Sequence, residues 1–484
     1  MTFQPANNGD SSTCVIELQN TSQVLTTPPS VRRQGPESIK SVHSLSLSQV
    51  PRDSGSRNDD PVETLPSPTT ATEKLQRWNH PRVNTWRTLS AFWSFFIMGA
   101  NDAAYGALLP YLEEYYGLSY TIVSLVFLSP LLGYCASALL NNTIHLKFGQ
   151  RGIAFLGPIC HLIAYAVMVV HPPYPVLVVV FAIAGFGNGL EDAGWNAWMG
   201  AMANANEILG FLHGFYSVGA TVSPLIATSM ITKANLQWYQ FYYVMVGTSF
   251  LELIFCLTSF WHATATIFRA QNAKTITSTT SPSPKHENRM RETLTRLPFA
   301  RTTWLIAAFL LVYVGVEVAL GGWIVTFMLR ERHAQPFASG MTATGFWLGM
   351  AVGRVALGFV TPRVGETLAI GIYLPVCAAL QLVFWLVPRF LVSAVAVALQ
   401  GFFLGPMFPG AVVAATRLLP RHLHVGAIGF AAAVGGGGAA VFPFAVGAVA
   451  QGKGVWVLQP FVLALLVGCW GIWMGLPRMG RKRE

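Results

Sequence analysis

Residues 181–200 read FAIAGFGNGLEDAGWNAWMG, and residues 397–416, 216 positions later, read VALQGFFLGPMFPGAVVAAT. Under this shift Gly185 falls on Gly401, and one phenylalanine and two further glycines of each stretch also coincide. Each stretch belongs to an apolar segment of about the twenty residues that span a bilayer as a helix. The pair therefore indicates a membrane protein that contains an internal repeat.

The repeat extends to other parts of the chain. The same shift of 216 lays Gly99 on Gly315, and a shift of 219 lays residues 219–224 on residues 438–443 with four identities in six positions. Single glycine matches mean little in a chain with 45 glycines, but one near-constant offset that recurs in several regions is not a chance match. The chain therefore divides into two parallel halves.

Each half contains six apolar segments long enough to span a membrane. The predicted fold class is an all-α integral membrane protein whose twelve transmembrane helices form two parallel six-helix bundles, a layout that places a substrate site between the halves. The predicted segments are 88–111, 119–140, 152–171, 175–198, 208–232, 238–262, 302–329, 339–361, 366–387, 391–415, 425–450 and 456–477.

Polar stretches flank and separate the halves. The sequence predicts a disordered cytosolic tail because the first residues are rich in Ser, Thr and Pro and lack the basic start and apolar core of a signal peptide. The predicted domains are the tail 1–85, the N-terminal bundle 86–262, the cytosolic central loop 263–300, the C-terminal bundle 301–477 and the basic cytosolic tail 478–484.

The composition excludes several classes of protein. Hydrophobic residues make up 52% of the chain and charged residues 11%, whereas soluble domains carry about 25% charged residues. A cytosolic enzyme, a nucleic-acid-binding protein and a secreted disulfide scaffold are excluded on this ground.

Five of the six cysteines lie in apolar runs without a CxxC spacing, so we expect small hydrophobic side chains and no metal site. No phosphate-binding loop or serine elbow occurs, and catalysis on a covalent bond is not expected.

Lysine and arginine are distributed unevenly around the predicted segments. With a cytoplasmic N-terminus, twenty of them flank the segments on the inside and five on the outside. Positive residues accumulate on the cytoplasmic side of membrane proteins. The sequence therefore predicts that both termini are cytoplasmic in a multi-pass protein, and we expect the plasma membrane as its location.

Ionisable residues inside the segments are few. Each costs about 2.5–3.5 kcal/mol at the centre of a span, so such residues usually face the bundle interior and serve a pathway. Asn101 and Asp102 lie between two glycines of the first segment, and Glu191 and Asp192 lie in the fourth. On a helix Asp192 shares a face with Asn188, four residues earlier, whereas Glu191 is displaced by about 100°.

Asp102 and Glu191 are the candidate proton-coupling residues. A carboxyl group in a medium of low dielectric constant favours its neutral form and can therefore exchange a proton near neutral pH. Two alternatives are open: each acid pairs permanently with a cation or caps a broken helix, and Asp192 only positions Glu191. Under the repeat, Glu191 and Asp192 fall on Met407 and Phe408, so we expect the N-terminal half to handle the proton.

Other polar and aromatic residues complete the predicted cavity. His213 could relay a proton, although a satisfied histidine near a segment end is the favoured interpretation, and Glu317 could pair with a mobile cation. The tryptophans beside polar groups could stack on a planar ligand. The predicted substrate cavity comprises Asn101, Asn188, Asp192, Trp195, Asn196, His213, Tyr216, Glu317, Trp323, Trp347 and Gln400. The predicted gating or structural cations are Lys147, Arg151, Arg354 and Arg363.

Residues 87 to 477 resemble the major facilitator superfamily. The stretches 99–110 (GANDAAYGALLP) and 189–196 (GLEDAGWN) are similar to the fucose–galactose–glucose:proton symporter group, and 345–349 (GFWLG) with Gly353-Arg354 is similar to its fungal branch, the bypass-of-stop-codon-like transporters. This resemblance implies that Asp102 and Glu191 couple transport to protons.

One loop departs from the superfamily pattern. After the second segment, Asn142 and Leu146 stand where the superfamily has glycine and aspartate, while Lys147 and Arg151 keep the basic character. The acid-mediated gating pair of the superfamily is therefore in doubt here.

The sequence as a whole favours a secondary active transporter of a small organic solute. We expect proton coupling, no cofactor apart from a proton gradient as energy source, and a substrate that is either a sugar-like nutrient or an exported fungal secondary metabolite. The expected partners are this substrate and the lipid bilayer, not nucleic acid, and the protein is expected to be a monomer and not an enzyme. The alternatives are a nutrient sensor that does not transport and an uncoupled uniporter.

The charge distribution predicts a topology that reporter fusions can test. A reporter placed after Glu484 or near Ser281 should lie in the cytoplasm, and one near Pro173 should lie outside, because positive flanks are retained inside. Activity of a compartment-specific reporter at each position checks this, and an external signal from the central loop would overturn the twelve-segment assignment.

Overall fold

The computed structural model describes residues 76–270, 294–420 and 423–477, and these residues form an all-helical protein. The first half contains α1 (Arg82–Tyr116), α2 (Tyr120–Val123), α3 (Leu125–Phe148), α4 (Gln150–Val169), α5 (Tyr174–Gly200), α6 (Ala205–Thr232) and α7 (Phe241–Phe260). The second half contains α8 (Phe299–Arg330), α9 (Pro336–Val364), α10 (Glu366–Leu386), α11 (Phe390–Leu404), α12 (Met407–Leu418), α13 (His424–Lys453) and α14 (Leu458–Met474).

The helices account for twelve membrane spans, because α2 with α3 and α11 with α12 each act as one. Eleven spans are long and apolar enough to cross a membrane by composition alone, and α1 is the exception. Polar residues such as Ser90, Ser94, Asn101 and Asp102 interrupt its apolar run. Most residues of α1 are buried, so this helix packs against other helices and needs little lipid-facing apolar surface. The predicted fold of twelve helices in two halves is confirmed.

Some of the predicted boundaries fall where the chain is not described. The tail predicted over 1–85 lies outside the described residues as far as residue 75, and α1 then begins at Arg82, earlier than the predicted boundary. The central loop predicted over 263–300 lies outside them for residues 271–293, as does the basic tail 478–484. The division into domains stays a prediction.

Close helix contacts at glycine repeat between the halves. A Cβ atom at Gly99 of α1 would lie 2.0 Å from the carbonyl oxygen of Tyr216 in α6. The repeat partner of Gly99 is Gly315 of α8, where a Cβ atom would meet the ring of Phe442 in α13 at 2.1 Å. Helices in membranes approach closely where small residues meet. The same pair of spans, the first and fifth of each half, therefore packs through the same glycine positions.

A second helix pair shows the same correspondence. A Cβ atom at Gly133 of α3 would lie 2.1 Å from the carbonyl oxygen of Ala182 in α5, and one at Gly349 of α9 would lie 2.0 Å from that of Ala398 in α11. These glycines are 216 residues apart, the offset found in the sequence. The internal repeat is thus a repeat of packing, and the two halves share one architecture.

The two halves make several close contacts at one end of the molecule. We call the end at which α1 and α8 finish the far end and the opposite end the near end. At the far end, Gly106 of α1 is so close to α8 that a Cβ atom would lie 1.9 Å from the carbonyl oxygen of Gly321. Beyond it, Arg330 Nη2 lies 3.5 Å from Glu113 Oε1. Further contacts join the backbone N–H of Tyr120 to Gln451 Oε1 (2.7 Å) and Lys233 Nζ to the ring of Phe337 (4.4 Å). The far end is therefore closed by backbone, polar and aromatic contacts.

The close approach at Gly99 generates a stability prediction. Gly99→Ala should lower the free energy of unfolding by about 1–3 kcal/mol, because the added methyl group forces α1 and α6 apart. Thermal unfolding in detergent measures the effect. Gly247→Ala is the matched control, since Gly247 lies in α7 with open space around its Cβ position. Equal melting temperatures for the two variants would contradict the packing described here.

Candidate functional site

A half-buried carboxylate, Asp102, joins three helices of the first half. Its Oδ1 accepts hydrogen bonds from Asn101 Nδ2 (3.0 Å) and from Asn188 Nδ2 of α5 (3.3 Å). Its Oδ2 accepts one from the hydroxyl of Tyr216 in α6 (3.0 Å). Asn101 Nδ2 also donates to the hydroxyl of Tyr105, one turn along α1 (2.8 Å). Four of the predicted residues thus meet at one polar centre, which we call the Asp102 site.

The next residue of α6 connects this site to the second half. The side chain of Ser217 accepts a hydrogen bond from Arg354 Nη1 of α9 at 2.6 Å. Arg354 Nη2 lies 3.1 Å from Glu317 Oε1 of α8, and both side chains are largely buried. Because Tyr216 binds Asp102 and Ser217 binds Arg354, a single turn of α6 lies between the acid of one half and the ion pair of the other.

Glu191, the second predicted proton-coupling residue, lies elsewhere. Its side chain is 0% exposed and points into the first half, where neither carboxylate oxygen has a hydrogen-bond partner. A Cβ atom at Gly157 of α4 would lie 2.5 Å from Glu191 Oε1. Glycine at this position therefore makes room for the carboxyl group, and Glu191 does not share the Asp102 site.

Two residues that the sequence analysis did not identify surround Glu191. His161 of α4 and Glu252 of α7 are both 0% exposed, and His161 Nδ1 lies 3.1 Å from Glu252 Oε2. One ligating atom of each of the three side chains lies within 4.8 Å of the other two. We call this group the buried triad. The signal was present, since Glu252 is an acid at the centre of the sixth span and His161 is a histidine at the centre of the third.

The triad also bears on the expectation that the chain has no metal site. Among the described residues, these three side chains bring one imidazole and two carboxyl groups close enough for one ion. Such a set suits zinc in other proteins. The residue types alone thus permit either a metal ion or a shared proton.

Three other predicted cavity residues pack within the first half. Asp192 accepts a hydrogen bond from Asn196 Nδ2 on its Oδ1 atom (2.8 Å), one turn along the same helix. The ring of Trp195 is 0% exposed and stacks on Phe260 of α7 with centroids 4.5 Å apart. The expectation that Trp195 lines the cavity is therefore wrong in placement, because its face of α5 turns toward α7 and not toward the second half.

The predicted aromatic and amide residues of the second half also lie in different places, some near the first half and some inside their own half. Trp323 lies where the halves meet, since its Nε1 donates to the carbonyl of Pro443 (2.8 Å) and its ring contacts Tyr120 of the first half at 5.8 Å. Trp347 is 4% exposed, and its indole N–H has no partner. Gln400 is fully buried and donates to Gln381 Oε1 of α10 (3.0 Å), so its predicted place in the cavity is corrected to the interior of the second half.

His213 lies between aromatic residues of the two halves. His213 of α6 packs edge-on against Phe95 (5.4 Å) and lies 6.4 Å from the ring of Phe408 in α12. It therefore adds to the contact between the halves.

The basic residues at the near end behave differently from one another. Lys147 and Arg363 are exposed, whereas Arg151 lies over the ring of Trp261 at 5.3 Å. The near-end ion pair that the structure contains was not predicted: Arg417 Nη1 lies 2.6 Å from Glu366 Oε2. This pair sits at the start of α10, directly after Arg363 and the loop that follows α9.

The comparison with protein families identifies the chain. The family model described as Major Facilitator Superfamily matches residues 91–388. The protein belongs to the Major Facilitator Superfamily. It is accordingly a multi-pass membrane protein of a transporter superfamily, and the resemblance drawn from the sequence is confirmed.

Two relatives cover most of the chain. Bypass of stop codon protein 6 of Saccharomyces cerevisiae is 28% identical over 462 residues, which cover 88% of this chain and 92% of that protein. The glucose/mannose transporter GlcP of Bacillus subtilis is 20% identical over 375 residues, which cover 77% of this chain and 88% of that protein.

Two solved structures share the fold. A D-xylose–proton symporter aligns with a TM-score of 0.61 at 14% identity and covers 82% of this chain and 98% of its own. The Major Facilitator Superfamily transporter FucP, solved in its outward conformation, aligns with a TM-score of 0.55 at 14% identity and covers 81% of this chain and 98% of its own. At this identity the likeness establishes the fold.

The ion pair between Arg354 and Glu317 generates a stability prediction. Arg354→Met or Glu317→Leu alone should lower the free energy of unfolding by about 3–5 kcal/mol, because each leaves a buried charge without its partner. The double variant should recover part of this loss. Thermal unfolding of the three variants tests the prediction, and additive losses in the double variant would show that the two charges do not stabilise each other.

Proposed function

We propose that the protein is a proton-coupled secondary transporter of a small organic solute that works by alternating access between its two halves. The observation that carries this proposal is the Asp102 site, a half-buried acid placed beside the contact between the halves. An acid in that position can sense both protonation and the movement of one half against the other. The far-end closure supports the second part, since one face of the centre is sealed while Asp102 stays partly exposed.

The chemistry of the central residues favours a polyhydroxylated substrate. Asn101, Asn188 and Tyr216 supply amide and hydroxyl groups to one centre, and such groups can exchange hydrogen bonds with sugar hydroxyls. Trp347 adds an indole N–H without a partner, which could donate a hydrogen bond to a ligand oxygen. The names of the glucose/mannose transporter GlcP and of the D-xylose–proton symporter agree with a sugar-like solute, and this substrate class is part of the proposal.

The proposal also includes an orientation. The excess of basic residues at the near end would place that end in the cytoplasm, so the far end would face outward and the structure would be an inward-facing state. The plasma membrane is the proposed location. The proposal also includes the energy source, which is a proton gradient. It involves no cofactor and no catalysis on a covalent bond.

Reconstitution into proteoliposomes tests the function directly. With a panel of labelled hexoses and pentoses, we expect uptake that rises when an inward proton gradient is imposed. Uptake that ignores the gradient would identify a uniporter. The absence of flux for a folded protein that still binds a sugar would identify a sensor.

The assignment of the two acids predicts a separation of two activities. Glu191→Gln and Asp102→Asn should each abolish accumulation driven by a pH gradient and leave part of the counterflow exchange, because exchange needs a moving bundle but no net proton transfer. Transport assays on the same proteoliposomes measure both. Glu207→Gln, which neutralises an exposed acid at the start of α6, is the matched control. Normal pH-driven accumulation in a well-folded Glu191→Gln protein would end the assignment.

A further inference from the structure

The buried triad contains more unsatisfied polar atoms than a structural cluster needs. Both carboxylate oxygens of Glu191, Oε1 of Glu252 and Nε2 of His161 have no hydrogen-bond partner, and all three side chains are 0% exposed. A buried polar atom without a partner costs about 1–3 kcal/mol, and more when it is charged. One ligating atom of each side chain lies within 4.8 Å of the other two, so a single proton or ion shared by the three groups could satisfy them.

The second half contains a neutral counterpart. Gln381, Gln400 and Gln459 lie on α10, α11 and α14, which are the third, fourth and sixth spans of their half, as α4, α5 and α7 are of theirs. The three amides form a chain, with Gln400 Nε2 donating to Gln381 Oε1 (3.0 Å) and Gln381 Nε2 donating to Gln459 Oε1 (2.7 Å). A hydrogen-bonded amide chain is therefore enough to join these three spans. It lies at other positions along them, since the shift of 216 lays Glu191 on Met407 and Gln400 on Ala184.

The charges of the triad require a counter-charge or a proton. Two ionised carboxylates in a dry interior repel each other and lose their hydration. The ion pairs of Arg330, Arg354 and Arg417 involve other acids, namely Glu113, Glu317 and Glu366. The triad therefore has to be neutralised from within, by a bound proton or a bound cation.

The remaining polar neighbours do not supply that charge. Ser94 of α1 and Cys256 of α7 bind each other (3.3 Å), and the ring of Tyr165 stacks on His161 with centroids 5.9 Å apart. Cys160 lies beside His161 on α4, and Asp102 and Asp192 are further acids in this region of the half. None of these groups is a cation.

We propose that Glu252 and His161, together with Glu191, form one proton-binding site sealed inside the first half. In the loaded state Glu191 carries the proton on oxygen and donates its O–H to the carboxylate of Glu252, and a protonated His161, 3.1 Å from Glu252, balances the remaining negative charge. Release returns the proton to water and leaves the carboxylate. This inference rests on the proposed proton coupling and adds two residues and a location to it.

A short connection leads from the triad to the Asp102 site. A Cβ atom at Gly187 of α5 would lie 2.9 Å from His161 Nε2, so the imidazole lies against the backbone of α5 at this position. The next residue, Asn188, donates a hydrogen bond to Asp102. The half-exposed Asp102 is therefore the group that exchanges the proton with water, and the triad is the group that retains it.

The second half suggests the sharpest variant. The triple change His161→Gln, Glu191→Gln and Glu252→Gln installs in the first half the three amides that join the same spans of the second. Because three glutamines can hydrogen-bond one another between these spans, we expect this protein to fold even if Glu252→Gln alone does not. Gln459→Leu is the matched control, since it disturbs the amide chain of the second half and should lower the melting temperature while pH-driven accumulation persists.

Two measurements on full-length protein in proteoliposomes test the proposal. We expect both Glu252→Gln and the triple variant to lose accumulation driven by a pH gradient and to retain counterflow. Infrared difference spectra after a pH jump should contain a protonated-carboxyl band that weakens in Glu252→Gln and is lost in the triple variant. His161→Gln should shift the pH at which this band appears.

Several results would overturn the inference, and they differ from a failure of the proposed function. If Glu252→Gln keeps both normal pH-driven accumulation and the full band, while Glu191→Gln loses accumulation, proton coupling stands and the triad does not. If the wild-type protein ignores the gradient, the proposed function fails, and the infrared titration still decides whether the triad binds a proton. A stoichiometric metal ion in the purified protein that is lost in the triple variant would replace the proton with a cation.

Discussion

An ionised carboxylate cannot remain unpaired in the dry interior of a helical bundle, and this constraint organises the polar half of the structure. Asp102 meets it with hydrogen bonds from three side chains and partial exposure. Glu317 meets it with Arg354. Glu191 meets it with neither, and its surroundings therefore have to neutralise it. The three acids therefore lie in three different environments, and of the three Glu191 alone has neither a hydrogen-bond partner nor exposure.

The apolar part of the structure depends on how closely the helices approach. Gly99 and Gly133 in the first half, and Gly315 and Gly349 in the second, occupy positions where a methyl group would collide with the neighbouring helix. Lipid offers no hydrophobic drive for helices to associate, so close packing of small residues has to supply the contact energy. Each half is closely packed for this reason.

The two halves share this packing and differ in their chemistry. The third, fourth and sixth spans are joined by three glutamines in the second half and by His161, Glu191 and Glu252 in the first. The same three spans are therefore joined by a neutral amide chain in one copy of the scaffold and carry an ionisable cluster in the other. The polar asymmetry is therefore a difference of side chains on one shared backbone arrangement.

Hydrophobic length and the 216-residue offset of Gly99 and Gly315 were sufficient to predict the helices, the two halves and the superfamily, because spans and repeats are local or periodic properties of the chain. The sequence also identified Asp102, Asn188 and Tyr216 as polar residues in apolar helices. It could not determine which way a side chain turns within a bundle. Trp195 and Gln400 were expected in the cavity, but Trp195 lies inside the first half and Gln400 inside the second. A helix in a bundle has neighbours on several sides, and the sequence does not show which neighbour a side chain contacts. The meeting of His161, Glu191 and Glu252 depends on how three helices pack, and only the tertiary structure decides that.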